Sequence, residues 1–262
     1  MRIRDARTGG LRDIRRPRGG LLRVCVHTSA TGSPRDQGDL RALLIADVLA
    51  RTVELDGLQV VSAWASGDAS EGHDRELARA GARAGVHPAT VRTERSGVRY
   101  ALGGPVDVHV VAAAADPPVD DDGVRVAVAP APAWPLPEAP GTTADDDGEA
   151  DDLLAVRLAL LGTPYDRTAD LTPAALGAAA TELAGWRERV AHWARATSQP
   201  VHAVSAKEVA SAFHDDLDSR AALAALRRLA ADPEVADGAK FETFVLADRW
   251  LGLELPRDIG RA

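Results

Sequence analysis

Apolar residues recur along this chain in two rhythms. In the first half they gather into short β-rich runs: LLRVCV (21–26), LQVVSAW (58–64), VDVHVVAA (106–113) and VRVAVA (124–129). Runs of this length, bounded by glycine or polar residues, predict strands buried on both faces, as in a parallel sheet. Between the first two, residues 39–54 place Leu40, Leu43, Leu44 and Val48 on one helical face and Arg41, Arg51 and Glu54 elsewhere. Residues 73–85 read as a further helix. Strand–helix–strand alternation predicts a parallel sheet with a crevice at the carboxyl ends of its strands. The loop 27–39 follows the first run and lies at that end.

The rhythm then changes. Residues 130–149, PAPAWPLPEAPGTTADDDGE, hold five prolines and then an acid run, which predicts an extended linker with Trp134 as its one surface anchor. From residue 150 the spacing is helical throughout. DDLLAVRLALLG (151–162) is apolar on most sides and predicts a buried helix stopped at Gly162. Thr172-Pro173 is a capping residue followed by proline at the first helical position. The spacing reads Ser205–Glu208 as a capping box, and residues 219–231 and 238–252 as two more helices. The fold class expected is α/β: a truncated Rossmann-like parallel sheet (1–129), a linker (130–149) and an α-helical bundle (150–262).

Composition narrows the chemistry. Of 262 residues 45% are apolar, enough for a real core. No lysine precedes Lys207, so lysine chemistry is excluded from the first 206 residues. The single Cys25 excludes an intrachain disulfide and a multi-cysteine zinc site, and predicts a cytoplasmic setting. No apolar run is long enough for a membrane span, and the first residues lack the apolar stretch of a signal peptide. The net charge of −8 is uneven: residues 119–152 carry ten acids against Arg125 alone, and residues 1–23 carry eight arginines against Asp5 and Asp13. The basic arm contains no aromatic residue to stack on bases, so a solvated hairpin is expected there rather than a nucleic-acid site.

Several fragments, in this order, resemble the cysteinyl-tRNA synthetase family of class I ligases, including its mycothiol-pathway cysteine:glucosaminyl-inositol ligase branch. IRDARTGGLRDI (3–14) is similar to the opening segment of that family. LLRVCVHT (21–28) resembles its first strand, with Cys25 and Thr28 at matching places. LRALLIADVLAR (40–51) resembles the helix after its HIGH motif, with Arg41, Asp47 and Arg51 in register. GGPVDVHV (103–110) is similar to its "G-G-G-x-D-L" segment. VRLALLGTPYDRTADLTPAAL (156–176) and AFHDDLDSRAALAAL (212–226) resemble parts of its helical region.

The resemblance implies a nucleotide and cysteine site, and the departures bear on that site. The HIGH position falls on Asp36-Gln37-Gly38-Asp39, where only the glycine is kept. Losing preorganised donors there removes about 3 kcal/mol of transition-state stabilisation per group, and the carboxylates repel a polyphosphate. A KMSKS-like loop needs lysines that this region lacks. The family's zinc needs a second cysteine; Cys25 with at most a carboxylate does not close a tetrahedral site, and His27 and His109, the substitute ligands available, are expected as satisfied, half-buried imidazoles.

The expectation is a degenerate paralogue that makes no adenylate, has no resident cofactor or zinc, and binds a protein or small ligand rather than tRNA. The ligand crevice is expected among Cys25, His27, Thr28, Arg35, Arg41, Gly103, Gly104 and Asp107. The alternative is a divergent ATP-dependent ligase that holds phosphate on Arg35 or Arg41. A third reading is a pure interaction module built on the acidic linker and basic arm. Glu71, His73 and Asp74 read as a solvated helix start, and Arg187, Glu188, Arg189 and His192 as a solvated face.

Overall fold

The computed structural model describes residues 1–260 except 15, 16, 18, 19, 30–36, 67–70, 116–122 and 133–145, with the backbone alone for 146–152. Arg35, Asp36, Trp134 and most of the Pro/Asp segment lie outside the described residues.

Strands β1 (Arg2–Arg4) and β2 (Leu11–Asp13) form an antiparallel hairpin. Five parallel strands follow: β3 (Leu21–His27), β4 (Gln59–Ser66), β5 (Val91–Glu94), β6 (Val108–Ala112) and β7 (Val124–Val128). Their order across the sheet is β5-β4-β3-β6-β7. The chain therefore steps outward in one direction from β3 and then returns to its other side, so the strand order reverses between β3 and β6. In an open α/β sheet that reversal opens a crevice beyond the strands' carboxyl ends. The Rossmann-like α/β expectation holds.

Period-two alternation sorts β3 between two cores. Leu22, Val24 and Val26 join the large core beneath helix α1 (Gly38–Leu55), whereas Cys25 joins a small cluster with Ala63, Ala65, Val98, Leu102 and Val106. That small cluster is roofed by α3 (Val98–Ala101), which the sequence does not announce, nor does it announce β5. Helix α2 (Glu71–Arg83) lies between β4 and β5.

The remaining helices are α4 (Asp146–Leu161), α5 (Pro173–Trp193), α6 (Ala203–His214), α7 (Ser219–Ala231) and α8 (Asp237–Leu251). Thr172 caps α5, its hydroxyl accepting from the Ala175 N–H at 3.1 Å, with Pro173 in the first turn. Asp218 caps α7 in the same way. The capping-box reading of Ser205 is corrected: α6 begins two residues earlier, and Ser205 is buried inside it against His202 Nδ1. One continuous buried cluster runs from Val24 and Val26 through α1 to Leu223, Phe244 and Trp250, so sheet and bundle share a core.

Arginines seal that junction. Arg157 of α4, fully buried, donates to Asp47 Oδ2 of α1 at 2.7 Å, to the Ala84 carbonyl at 3.0 Å and to the Leu251 carbonyl. Arg51 closes on the same Asp47 oxygen at 2.8 Å from one helical turn away. Burial favours the neutral carboxyl, but hydrogen bonds from His87 and the two guanidinium charges outweigh it and hold Asp47 below the usual carboxylate range. Gly252 ends α8 at φ +60°, and a Cβ there would sit 2.9 Å from Arg157 Nη2, so only glycine fits. Arg187 is not on a solvated face, as its spacing suggests. It is buried and donates to the Leu253 carbonyl at 2.9 Å, because the chain after α8 folds back over α5.

Candidate functional site

The crevice begins where β3 ends. Thr28 is held by the Ala65 carbonyl through its N–H and accepts from Trp64 Nε1 at 2.8 Å. Arg92 lies over the Trp64 ring, its Cζ 4.5 Å from the centroid, a cation–π contact that covers the indole. Ser29 follows, 4% exposed, and donates its N–H to Asp39 Oδ1 at 2.9 Å and its hydroxyl to Asp39 Oδ2 at 2.7 Å.

Asp39 occupies the first turn of α1, where the free N–H groups and the helix dipole favour negative charge. That is the position at which a phosphate would sit in a nucleotide site of this layout. Here a buried side-chain carboxylate holds it, 5% exposed and tied to the strand end. His73 of α2 approaches from the other side, its Nε2 3.7 Å from Asp39 Oδ2. Gln37 precedes α1, its N–H bonded to the Ala131 carbonyl at 3.1 Å, and Gly38 opens the helix. Thr28, Ser29, Gln37, Gly38, Asp39 and His73 thus gather beyond the carboxyl end of β3, all but His73 of them buried.

Other expected site residues lie elsewhere. Arg41 is fully buried. Its Nη1 donates to the carbonyls of Ala129 and Arg167 at 3.0 and 2.6 Å, and its Nη2 to those of Pro164 and Thr163 at 2.8 and 3.2 Å. Burial lowers its pKa to about 10, so it stays charged while gathering the ends of β7 and α4. Both terminal nitrogens of that guanidinium are taken up by carbonyls, and its Nε is buried.

Gly103, Gly104 and Asp107 precede β6 and so lie at the amino ends of the strands, opposite the crevice. There Asp107 Oδ2 accepts from the Arg23 N–H at 2.8 Å, and Gly104 leaves room for the Arg23 side chain, which a Cβ would meet at 3.0 Å. Spacing alone cannot separate the two ends of a strand flanked by glycines on one side and small residues on the other.

Cys25 sits mid-strand in the small apolar cluster, and burial pushes its thiol up to about 12. On the same face His27 Nε2 lies 2.9 Å from His109 Nδ1, both rings 2% exposed. Burial first, then His109, Arg95 and Arg125, depress His27 to about 3, so the ring is neutral. With one buried thiol, no second cysteine and the His27 and His109 rings bonded to each other, these residues do not fit the two-cysteine ligand set that the resemblance implies. Among the described residues no three His, Cys, Asp or Glu side chains gather in a geometry that could hold a metal ion.

The arm reads differently in space than in sequence. Arg2 pairs with Asp215 at 2.7 Å, Arg4 with Asp216 at 3.4 Å, and Arg7 and Arg12 both with the buried Asp5 at 3.1 Å. Its hairpin also lies along β7, the Ala6 N–H bonding the Arg125 carbonyl at 2.7 Å. Among the described residues no helix is long and apolar enough to cross a membrane.

No family model matches the chain, and no curated protein matches it by sequence.

Proposed function

We propose that this chain is a degenerate paralogue of the cysteinyl-tRNA synthetase-like ligases, a cytoplasmic binding or accessory protein that makes no aminoacyl adenylate. The supporting observation is the carboxylate of Asp39, fixed by Ser29 in the first turn of the helix that follows the crevice. A unit charge about 4 Å from one phosphate oxygen costs about 4 kcal/mol at the effective dielectric of a protein surface. That repulsion works against the developing charge that adenylation must stabilise.

The reading of a working ligase clamped on arginine is weakened at Arg41, whose two terminal nitrogens both donate to backbone carbonyls. The partner favoured is a protein or a small ligand rather than tRNA, since Arg2, Arg4, Arg7 and Arg12 are each engaged by an aspartate of the chain itself. Neither bound ATP nor zinc is required by this reading. ATP–pyrophosphate exchange with cysteine tests it: the expected result is no exchange above a protein-free control, and robust exchange by the purified chain overturns it.

A further inference from the structure

The two edges of the sheet differ. Beyond β7 the hairpin lies along the strand, and the Ala6 N–H takes up the outward Arg125 carbonyl. Beyond β5, among the described residues, no strand pairs with the edge. An uncovered edge presents its outward N–H and C=O groups as a template for another strand.

The neighbouring strand decides which groups those are, because backbone groups turn to alternate sides along a strand. In β4 the Gln59 N–H bonds the Gly20 carbonyl and the Ala65 carbonyl accepts from the Thr28 N–H, both on the β3 side. The Ser62 N–H instead faces Thr90, on the β5 side. Ser62, Trp64 and Ser66 therefore serve β5, and in the parallel register they engage Val91 and Thr93. Arg92 and Glu94 are left facing out. The Glu94 carbonyl accepts from Thr93 Oγ1 at 3.2 Å. No bond from elsewhere in the described chain reaches the Glu94 N–H or the N–H and carbonyl of Arg92.

A second copy of β5 fits this edge in one antiparallel register. Arg92 then pairs with Glu94 of the second copy, and Glu94 with Arg92 of the second copy, about a two-fold axis at Thr93. Unlike charges stand directly opposite, about 5.5 Å apart at Cα, and the two threonines meet at the axis. The neighbouring registers set Arg92 against Arg92 or Glu94 against Glu94, and like charges directly opposite are destabilising. Charges of one sign would guard the edge against pairing. This pair is complementary to itself, as an isologous two-fold contact requires. Both side chains are exposed, and Arg92 lies over the Trp64 ring on the same face. Next to the edge, α3 packs on β5 and carries Tyr100, 93% exposed, an aromatic of the kind enriched at interfaces.

We propose that this chain self-associates through β5, two copies joining antiparallel across Thr93 so that their five-stranded sheets become continuous. The association does not involve Ser29 or Asp39, and it stands or falls apart from the absence of adenylate chemistry. A contact this short lies below the area of a stable dimer, so the expected dissociation constant is about 100 µM.

Sedimentation equilibrium of the full chain, from about 10 µM to about 1 mM, spans that constant. The expected result is a reversible monomer–dimer equilibrium. Arg92→Glu and Glu94→Arg, both at exposed positions, each create two like-charge pairs across the axis and should weaken the dimer about tenfold. The double variant restores two unlike pairs and should recover the affinity to within about threefold. Glu94→Pro fits the φ of −70° at that residue and removes only an outward N–H from the backbone, so it should leave monomer alone. A monomer at every concentration, assembly beyond a dimer, or a dimer that survives the single reversals or Glu94→Pro would each overturn the proposal. So would failure of the double variant to recover.

Discussion

Asp39 holds Ser29 by two hydrogen bonds, 2.9 Å from the backbone N–H and 2.7 Å from the hydroxyl, with both residues nearly excluded from solvent. The pair ties the end of β3 to the start of α1 across a loop that begins one residue later. A carboxylate in this place does two things at once: it satisfies a buried donor of the strand end and neutralises the helix N-terminus.

Replacing Asp39 with alanine strands the Ser29 N–H and hydroxyl in a buried site. The expected loss is about 1–3 kcal/mol, read as a lower denaturant midpoint at unchanged slope. Ser29→Ala removes only one of the two bonds and should cost less. In the double variant the two losses should not add, since both changes act on one contact.

Asp47 and Arg157 form the polar centre of the shared core. Arg157→Met leaves Asp47 with Arg51 and His87 but removes its buried partner, and the expected loss is about 3–5 kcal/mol. Adding Asp47→Asn should restore part of that loss, because the uncompensated charge disappears. Chemical unfolding of the four proteins in the cycle checks this, and full additivity would count against the pair acting as a unit.

His27 sets a pH dependence with a defined sign. In the fold its pKa is depressed to about 3, against about 6.5 in an unfolded chain, so the unfolded state takes up the proton first as pH falls. This contribution is intact above about pH 6.5 and declines below it, by about 1.4 kcal/mol per pH unit until the folded pKa is reached. Asp5 and Asp47, both held below the carboxylate range, add to the loss only below about pH 4. Urea unfolding at pH 7, 5.5 and 4.5 should show the decline, and His27→Phe should flatten it across that window.

The Cys25 thiol, raised to about 12 by burial and packed among alanines and valines, should be inert in the native state. Modification by a thiol reagent at pH 8 should follow the rate of unfolding and become fast in denaturant. Rapid labelling of the native protein would show that the small cluster around Cys25 opens on its own.

The legible part of this fold was the part written in apolar runs. β3, β4, β6 and β7 are buried on at least one face along most of their length, so hydrophobic spacing finds them to within a residue or two. β5 escaped because Val91–Glu94 alternates half-buried with exposed residues at the sheet edge, with Arg92 and Glu94 outward. The arginines were misread for a related reason. Arg41 and Arg187 carry the signature of surface residues, and only the tertiary path of the chain brings carbonyls from distant loops around them. Their burial has no local cue.

The sequence located the start of α1 to within a residue, since Gly38 and Asp39 follow directly from the strand and the helical face. It could not find Ser29, a residue with no pattern of its own, or bring in His73 from a helix placed between β4 and β5. It placed Gly103, Gly104 and Asp107 at the wrong end of the sheet because motif order does not state strand direction.

The most direct test of the central claim is a calorimetric titration of the full chain with magnesium-ATP at low ionic strength. With Asp39 fixed at the helix N-terminus and Arg41 enclosed by carbonyls, the account predicts no saturable heat at micromolar to low-millimolar nucleotide. A one-site isotherm with a micromolar Kd, retained in the presence of competing salt, would contradict it.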